Sequence, residues 1–229
     1  MPKIYLSPAA HGRDNPCRYD SACGENIHCN LYMDELEPYL LACGFAVKRN
    51  PKDRTGDRLK EAIAESNAWG ADLHYVAHTN AGGGAYSLLM VYDQGTAYGY
   101  AEKLAARRRE IYAGNVKISV QPQWDELRLT AAPAVYDEMV FHDNAKDIAW
   151  FHEHLREMAE ATAKAICDMF GAAFVDPYAK PAEPAPEPES GGDVWYRVQV
   201  GAFREKANAD RLCAELQGKG YAAFVKAGA

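Results

Sequence analysis

The sequence predicts an α/β domain with a mostly parallel sheet flanked by helices on both faces, followed by a Pro-rich linker and a small C-terminal βαβ segment. Two observations predict this class. Short runs rich in apolar and β-branched residues alternate with longer stretches of helical periodicity over the first 176 of the 229 residues. A proline-rich stretch then ends that alternation. Strands joined through helices pair in parallel, because the crossover helix returns the chain to the same end of the sheet.

The elements of the first domain follow from these patterns in chain order. The first helix has leucines near helical spacing and a stop at Gly44, and the last helix has one long apolar stripe. Strands are predicted at 3–7, 45–49, 72–78, 87–92, 116–120, 126–130 and 134–141. Helices are predicted at 26–43, 57–69, 98–112 and 144–170. The apolar residues of the first and last helices are Ile27, Leu31, Leu36 and Leu40, then Phe151, Leu155, Met158, Thr162, Ile166 and Met169.

A linker divides the chain. Residues 177–193 hold five prolines, several acidic residues and a Gly-Gly pair, and such a composition can neither bury a core nor keep a helix. We therefore expect a first domain at 1–176, an extended linker at 177–193 and a separate segment at 194–229. Within that last segment, the pattern predicts a strand at 195–202, a helix at 206–218 and a strand at 221–225.

Composition excludes some function classes. The net charge is −7 and the pI about 5.5, and the compact basic run Arg107–Arg109 lies in a predicted helix, where we expect it to face solvent. Nucleic acid is therefore not an expected partner. No window approaches the roughly 20 apolar residues of a membrane span, so membrane insertion is not expected. The N-terminus lacks a charged leader and an apolar core, which predicts synthesis in the cytoplasm without a signal peptide.

The six cysteines permit two interpretations. Cys17, Cys23 and Cys29 recur every six residues, which could indicate a metal site or disulfides. The usual zinc-site spacings are absent, however, and a cytoplasmic origin favours free thiols. Free thiols are the expected state.

Three predicted strands carry side chains that can bind metal or transfer protons, at or near the carboxyl ends where sites collect in α/β sheets. His11 follows the first strand and His78 the third, while Asp137 and Glu138 lie on the last. Glu25 opens the first long helix. Two imidazoles, a carboxylate and an open position for water would make a catalytic zinc site, and a further carboxylate could serve as general base. Taken singly, each residue could instead be structural.

The segments around these residues resemble the zinc amidases that cleave N-acetylmuramoyl-L-alanine, a family found among sporulation enzymes and phage endolysins. The resemblance runs from about Ile4 to Phe170. It implies Zn²⁺ bound by His11, Glu25 and His78, Glu138 as the catalytic carboxylate, and peptidoglycan as substrate. The matching segments are His11-Gly12, Glu25-Asn26, Ser66-Asn67, Ala71-Asp72-Leu73, His78-Thr79-Asn80-Ala81, Pro133-Ala134-Val135 and, from 138 to 144, Glu-x-x-Phe-x-x-Asn.

The chain departs from the family pattern at three places, none of them a predicted ligand. Ala9-Ala10 stands where the family commonly has Pro-Gly, Ala62 where it has arginine, and Val140 where it has glycine.

The other histidines are interpreted as structural. His74 and His78 have the spacing of a helical metal pair, but in a strand they lie about 13 Å apart and cannot share one zinc. His28, His152 and His154 lie on predicted helices and are expected to be surface or packing residues.

The C-terminal segment is similar to the opening of a SPOR domain, a family that binds glycan strands stripped of stem peptides. The similarity lies in Trp195–Phe203 and continues through Asn208–Leu212, Leu216 and Gly220-Tyr221. The segment has about half the length of such a domain. It is therefore a truncated domain, a half completed by another chain, or a βαβ fragment that packs on the catalytic domain.

The leading functional prediction is a peptidoglycan hydrolase that cleaves the amide between N-acetylmuramic acid and L-alanine, in an endolysin or sporulation role. It would reach the bacterial cell wall after release or lysis. The alternative is a catalytically degenerate peptidoglycan-binding protein, against which the retained Glu138 argues. A zinc peptidase acting on another amide is a third possibility, and the oligomeric state is left open.

Overall fold

The computed structural model describes residues 1–9, 15, 17, 24–51, 58–179 and 198–226. The chain divides into two compact units, Met1–Lys180 and Pro181–Ala229.

One sheet forms the centre of the first unit. Within the described residues it has six strands in the order β2-β1-β3-β6-β4-β5, and neighbouring strands are parallel except β4 and β6, which are antiparallel. The predicted mostly parallel sheet is therefore confirmed. The strands are β1 (Lys3–Pro8), β2 (Ala46–Arg49), β3 (Leu73–Asn80), β4 (Tyr86–Val91), β5 (Asn115–Val120) and β6 (Ala134–Phe141).

Helices cover both faces of this sheet. The main core lies on one face, where α6 packs against both α1 and α3. On the other face α2 contacts α4, and Leu127 of α4 packs against Val76 and Tyr136 of the sheet. The helices are α1 (Glu25–Ala42), α2 (Leu59–Trp69), α3 (Thr96–Ile111), α4 (Asp125–Arg128), α5 (Ala145–Glu153) and α6 (Leu155–Phe170).

Within the described residues of the first unit, two element predictions were wrong. The strand predicted at 126–130 is the short helix α4, in which Arg128 pairs with Asp125 one turn earlier at 2.6 Å and only Leu127 supplies an apolar anchor. The single helix predicted at 144–170 is broken at His154, whose Nδ1 lies 3.0 Å from the carbonyl oxygen of Trp150. The apolar stripe across the break still faces the core, since Phe151 and Ile166 are fully buried.

The buried face of α1 also differs from the expected one. Ile27 and Leu31 are 45% and 40% exposed, while Leu36 and Leu40 are buried as expected. The buried face is rotated because Tyr32 and Tyr39 are buried in their place. The Tyr32 hydroxyl donates a hydrogen bond to Thr162 Oγ1 at 2.7 Å. A buried tyrosine needs such a partner.

The arginine run does not lie wholly in solvent, contrary to the expectation. Arg109 is exposed and Arg107 half-buried, but Arg108 points into the core with 2% of its surface exposed. Its Nη2 donates to Asp137 Oδ2 at 2.7 Å and its Nη1 to Ser87 Oγ at 3.0 Å. Asp137 also accepts from the Tyr75 hydroxyl at 2.6 Å. Sequence periodicity alone could not reveal that one charge of three has a buried partner.

The second unit contains α7 (Lys206–Gly218), where the sequence predicts a helix. The flanking strands are not formed over the described residues 198–202 and 221–225. Val198 and Phe224 remain 87% and 74% exposed, so this segment lacks the apolar cover that strands need. None of the described helices has the length and apolar character needed to cross a membrane.

Candidate active site

The register between β3 and β6 brings two predicted site residues together. His78 and Glu138 are direct neighbours across the two strands. Because side chains alternate along a strand, His78, Tyr136 and Glu138 face one side and Asp137 the other. The His78 and Tyr136 rings lie 4.5 Å apart, centroid to centroid. The strand pairing thus puts an imidazole beside a carboxylate at one end of the sheet.

The first residue of α1 completes this cluster. Glu25 Oε1 lies 2.8 Å from His78 Nδ1 and also accepts the Thr79 backbone N–H at 3.1 Å. Its other oxygen, Oε2, accepts from Asn15 Nδ2 at 2.8 Å. Burial alone would raise the pKa of Glu25, but the hydrogen bond and charge of His78, with the bonds from Asn15 and Thr79, lower it to about 2. Glu25 is therefore a fixed, ionised carboxylate.

The pKa of the His78 imidazole shifts in the opposite direction. Burial would lower its pKa, but the hydrogen bond and charge of Glu25 and the charges of Glu138 and Glu126 raise it. Three carboxylates therefore act on one ring. The cluster has a local excess of negative charge, the condition that attracts a cation.

Glu138 is a carboxylate of this cluster whose hydrogen-bonding capacity is not fully used. It is 8% exposed, and its Oε2 has no hydrogen-bond partner among the described residues. Burial raises its pKa to about 7; the Glu25 and Asp137 charges act in the same direction, and His78 opposes them. A buried polar atom without a partner is costly, so it signals a missing ligand or a chemical role.

These side chains line one cleft of about 450 Å³. Its wall includes several residues that sequence reasoning did not place in a site. They are Ser7, Asn15, Asn50, Thr79, Trp124, Glu126, Tyr136 and His142.

His11, the third predicted ligand, lies outside the described residues. Within the part of the chain that the structure describes, no group of three or more His, Cys, Asp or Glu side chains is arranged to hold a metal ion. The described donors nevertheless fit zinc, because Glu25 and His78 supply one carboxylate and one imidazole in contact, and Glu138 presents an unpartnered oxygen to the same cleft. One more nitrogen ligand would complete the usual set for a catalytic site.

The cysteines offer no competing metal site in the described residues. Cys17 is buried and its Sγ donates to the His142 carbonyl at 3.3 Å, and Cys29 is fully buried. Cys23 lies outside the described residues. The five described cysteines form no disulfides, in keeping with the expected free thiols.

The loop that follows β3 needs glycine because of its backbone conformation. Gly82 and Gly83 have φ values of 115° and 73°, a region that favours glycine. Their amides donate to Asp143 Oδ2 at 2.8 and 2.9 Å. A Cβ on Gly84 would lie 2.3 Å from the Phe141 ring. Asp143 therefore fixes the loop that borders the cleft.

Glu126 is the largest omission from the sequence-based site. It is 3% exposed on α4, and its Oε1 accepts from Ser7 Oγ and lies 2.9 Å from His74 Nε2. His74 is fully buried and stacks on Tyr5 at 5.1 Å. No sequence signal could reveal this cluster, because its members come from β1, β3 and α4. The interpretation of His74 as structural agrees with its burial, though it also positions a cleft residue.

Two curated proteins are similar to this chain. The first is an N-acetylmuramoyl-L-alanine amidase, CwlM, of Bacillus licheniformis, 30% identical over 182 residues. The second is a sporulation-specific N-acetylmuramoyl-L-alanine amidase of Bacillus subtilis, 28% identical over 181 residues. Each alignment covers 75% of this chain and 64% of the relative, so the chain spans less than two thirds of those proteins.

Solved structures agree with the sequence relatives. The N-acetylmuramoyl-L-alanine amidase AmiC2 of Nostoc punctiforme superposes with a TM-score of 0.65 at 15% identity, covering 74% of this chain and 97% of that one. The first unit has the amidase catalytic fold. At that identity the superposition establishes the fold alone.

The second unit resembles a different family. The family model of the SPOR domain matches residues 160–227. The match begins inside α6 of the amidase fold, where Thr162 and Ile166 are buried in the core. The first part of the match, up to Lys180, thus belongs to the first unit, and the remainder lies in the second unit and includes α7.

Proposed function

We propose that this protein is a zinc-dependent N-acetylmuramoyl-L-alanine amidase that hydrolyses the amide between N-acetylmuramic acid and L-alanine in peptidoglycan. One observation carries the proposal: Glu25, His78 and Glu138 converge in one cleft of an amidase fold. The names of the sequence relatives support the choice of substrate.

Glu25 and His78, with His11, would hold the metal. Glu25 suits this role because Asn15 and Thr79 already fix its carboxylate, so little side-chain freedom remains to be lost. When bound, zinc supplies a Lewis acid that polarises the amide carbonyl and lowers the pKa of a coordinated water toward 7.

Glu138 would transfer the proton. Glu138 lies next to His78 across the two strands, and its buried Oε2 has no hydrogen-bond partner among the described residues, so this carboxylate can take a proton from the attacking water. The water oxygen forms the new bond to the lactyl carbonyl carbon, and the C–N bond breaks. Glu138 then delivers its proton to the departing nitrogen of L-alanine. The products are the lactyl acid of the sugar and the free amine of the stem peptide.

We further propose that the C-terminal segment binds the peptidoglycan glycan strand, which the SPOR match supports. Catalysis and binding would then share one polymer, as in an endolysin or a sporulation enzyme acting on the cell wall. The competing hypothesis is a degenerate wall-binding protein that has lost catalysis.

The test combines metal analysis with mass spectrometry of digested peptidoglycan. We expect one zinc per chain and release of stem peptides with a free L-alanine amine. His78→Ala and Glu25→Ala should lose both zinc and activity, while His152→Ala, an exposed histidine on α5, should keep both. The proposed site would be contradicted if both cleft variants still bound zinc, or if zinc bound Cys17, Cys23 and Cys29. A fully zinc-loaded wild type that releases nothing favours the degenerate binder.

A further inference from the structure

The α4 side of the cleft carries an aromatic ring close to the reaction centre. Trp124, immediately before α4, is 36% exposed and lines the cleft. Its ring packs edge-on against Tyr136 at 4.9 Å, and the Tyr136 ring lies 4.5 Å from His78. Trp124 is therefore separated from His78 by a single ring. A group attached directly to the scissile amide could reach it.

A preoriented hydrogen-bond acceptor lies two residues farther on. Glu126 Oε1 accepts from Ser7 Oγ and from His74 Nε2, and both of those residues are buried. These bonds fix the carboxylate, and the proton of His74 lies on Nε2 because a carboxylate can only accept. The second oxygen, Oε2, makes no hydrogen bond with any described residue. Glu126 thus offers the cleft one acceptor in a fixed position.

We propose that Trp124 and Glu126 form a subsite for the sugar ring next to the scissile amide, an inference that rests on the proposed amidase function. A pyranose has an apolar C–H face, which packs on an aromatic ring. Its edge carries hydroxyl and acetamido N–H groups, which donate well to a carboxylate. The Trp124 ring can contact the apolar face of the sugar while the Glu126 carboxylate accepts from its polar edge.

Charge decides which side of the substrate lies here. Asp125, between the two residues, is 39% exposed at its side chain but is paired with Arg128 at 2.6 Å, so Glu126 supplies the acidic charge of this wall. The sugar is uncharged once its lactyl carboxyl forms the amide, whereas the stem peptide ends in a carboxylate. Like charges in close contact disfavour the peptide at this wall. The sugar meets no such repulsion.

The test measures binding without turnover. Full-length, zinc-loaded Glu138→Gln is titrated with N-acetylmuramoyl-L-alanyl-D-isoglutamine by calorimetry, and saturation-transfer NMR compares the sugar-ring protons with the alanine methyl group. Adding Trp124→Ala should raise Kd about tenfold or more and abolish saturation of the sugar protons first. Glu126→Gln should raise Kd less. Trp124→Phe should restore most of the binding, and Tyr92→Ala, an exposed aromatic outside the cleft, should change nothing.

Several outcomes would overturn the subsite. These are equal loss of sugar and methyl signals in Trp124→Ala, an unchanged Kd in that variant, or no binding of this ligand to Glu138→Gln at all. Thermal unfolding of each variant shows whether a loss of binding reflects a loss of fold. Wild-type cleavage of the same compound is assayed separately. If the wild type cleaves it but Trp124 has no effect on binding, the subsite fails and the amidase function stands. If the zinc-loaded wild type cleaves neither this compound nor peptidoglycan, the proposed amidase function fails.

Discussion

Glu138 and Asp137 are adjacent in sequence but have opposite environments. Glu138 faces the cleft with an oxygen that has no hydrogen-bond partner among the described residues, and Asp137 faces the core and binds Arg108. Glu138→Gln keeps the shape of the side chain and removes the base, so we expect zinc to stay bound while hydrolysis falls roughly 10²–10⁴-fold. Release of L-alanine-terminated peptides from purified peptidoglycan measures this. Glu153→Gln, which removes an exposed carboxylate of α5 outside the cleft, is the control. Equal rates for Glu138→Gln and wild type would refute the assignment of the base.

Single residues were predictable where one position carries its own chemistry. Glu25, His78 and Glu138 were each picked out from the sequence at a strand or helix end, and the structure brings these three together. Glu126 could not be found, because its importance depends on Ser7 and His74, which lie far from it in sequence. His11 remains a prediction.

At the scale of elements, one buried ion pair joins the helices to the sheet. Arg108 of α3 binds Asp137 of β6 and Ser87 of β4, and the side chains of the ion pair are only 3% and 0% exposed. The pair holds α3 against the strand that carries Glu138. Sequence periodicity located α3 correctly but assigned all three arginines to its solvent face, since periodicity reports hydrophobicity and not charge pairing.

Arg108→Ala should therefore destabilise the first unit by about 3–5 kcal/mol, because it leaves Asp137 charged and buried without a cationic partner. Arg107→Ala is the matched control from the same run. Its ion pair with Asp168 lies at the surface, with side chains 33% and 45% exposed, so its loss should cost about 0–1 kcal/mol. Urea unfolding followed by circular dichroism measures both. Similar midpoints for the two variants would show that the buried pair contributes little.

Helix and strand errors share one cause. The pattern predicts a strand where α4 forms, and α1 buries Tyr32 and Tyr39 while Ile27 and Leu31, which the pattern places in the core, are exposed. In both cases a tertiary partner decides the outcome: the sheet face under Leu127 for α4, and the hydroxyl partner of Tyr32 for α1. Local pattern identifies most elements here, but it cannot weigh contacts that form only after the chain has folded.

At the scale of the whole molecule, the two units differ in how completely they were predictable. The first has a large core, so its alternating pattern specified a known architecture. In the second, α7 has no buried residue, and neither predicted flanking strand forms over the described residues. The SPOR match extends back into α6, which belongs to the core of the first unit. A truncation that separates binding from catalysis must therefore keep α6 intact.

The end point of that truncation is set by Tyr178, whose ring lies 5.4 Å from Tyr39 within the first unit. A chain of residues 1–180 keeps this contact, and we expect it to cleave small soluble muropeptides at nearly the full-length rate. Its binding to whole sacculi should weaken at least tenfold, because a tethered second binding segment raises the effective concentration at the polymer. Pelleting with sacculi and turnover of a soluble muropeptide measure the two effects. A chain of residues 1–159 is the control: it removes most of α6, including the buried Thr162 and Ile166, and should not fold. If the 1–180 protein folds but loses turnover of the small substrate, the C-terminal unit takes part in catalysis and is more than a tether.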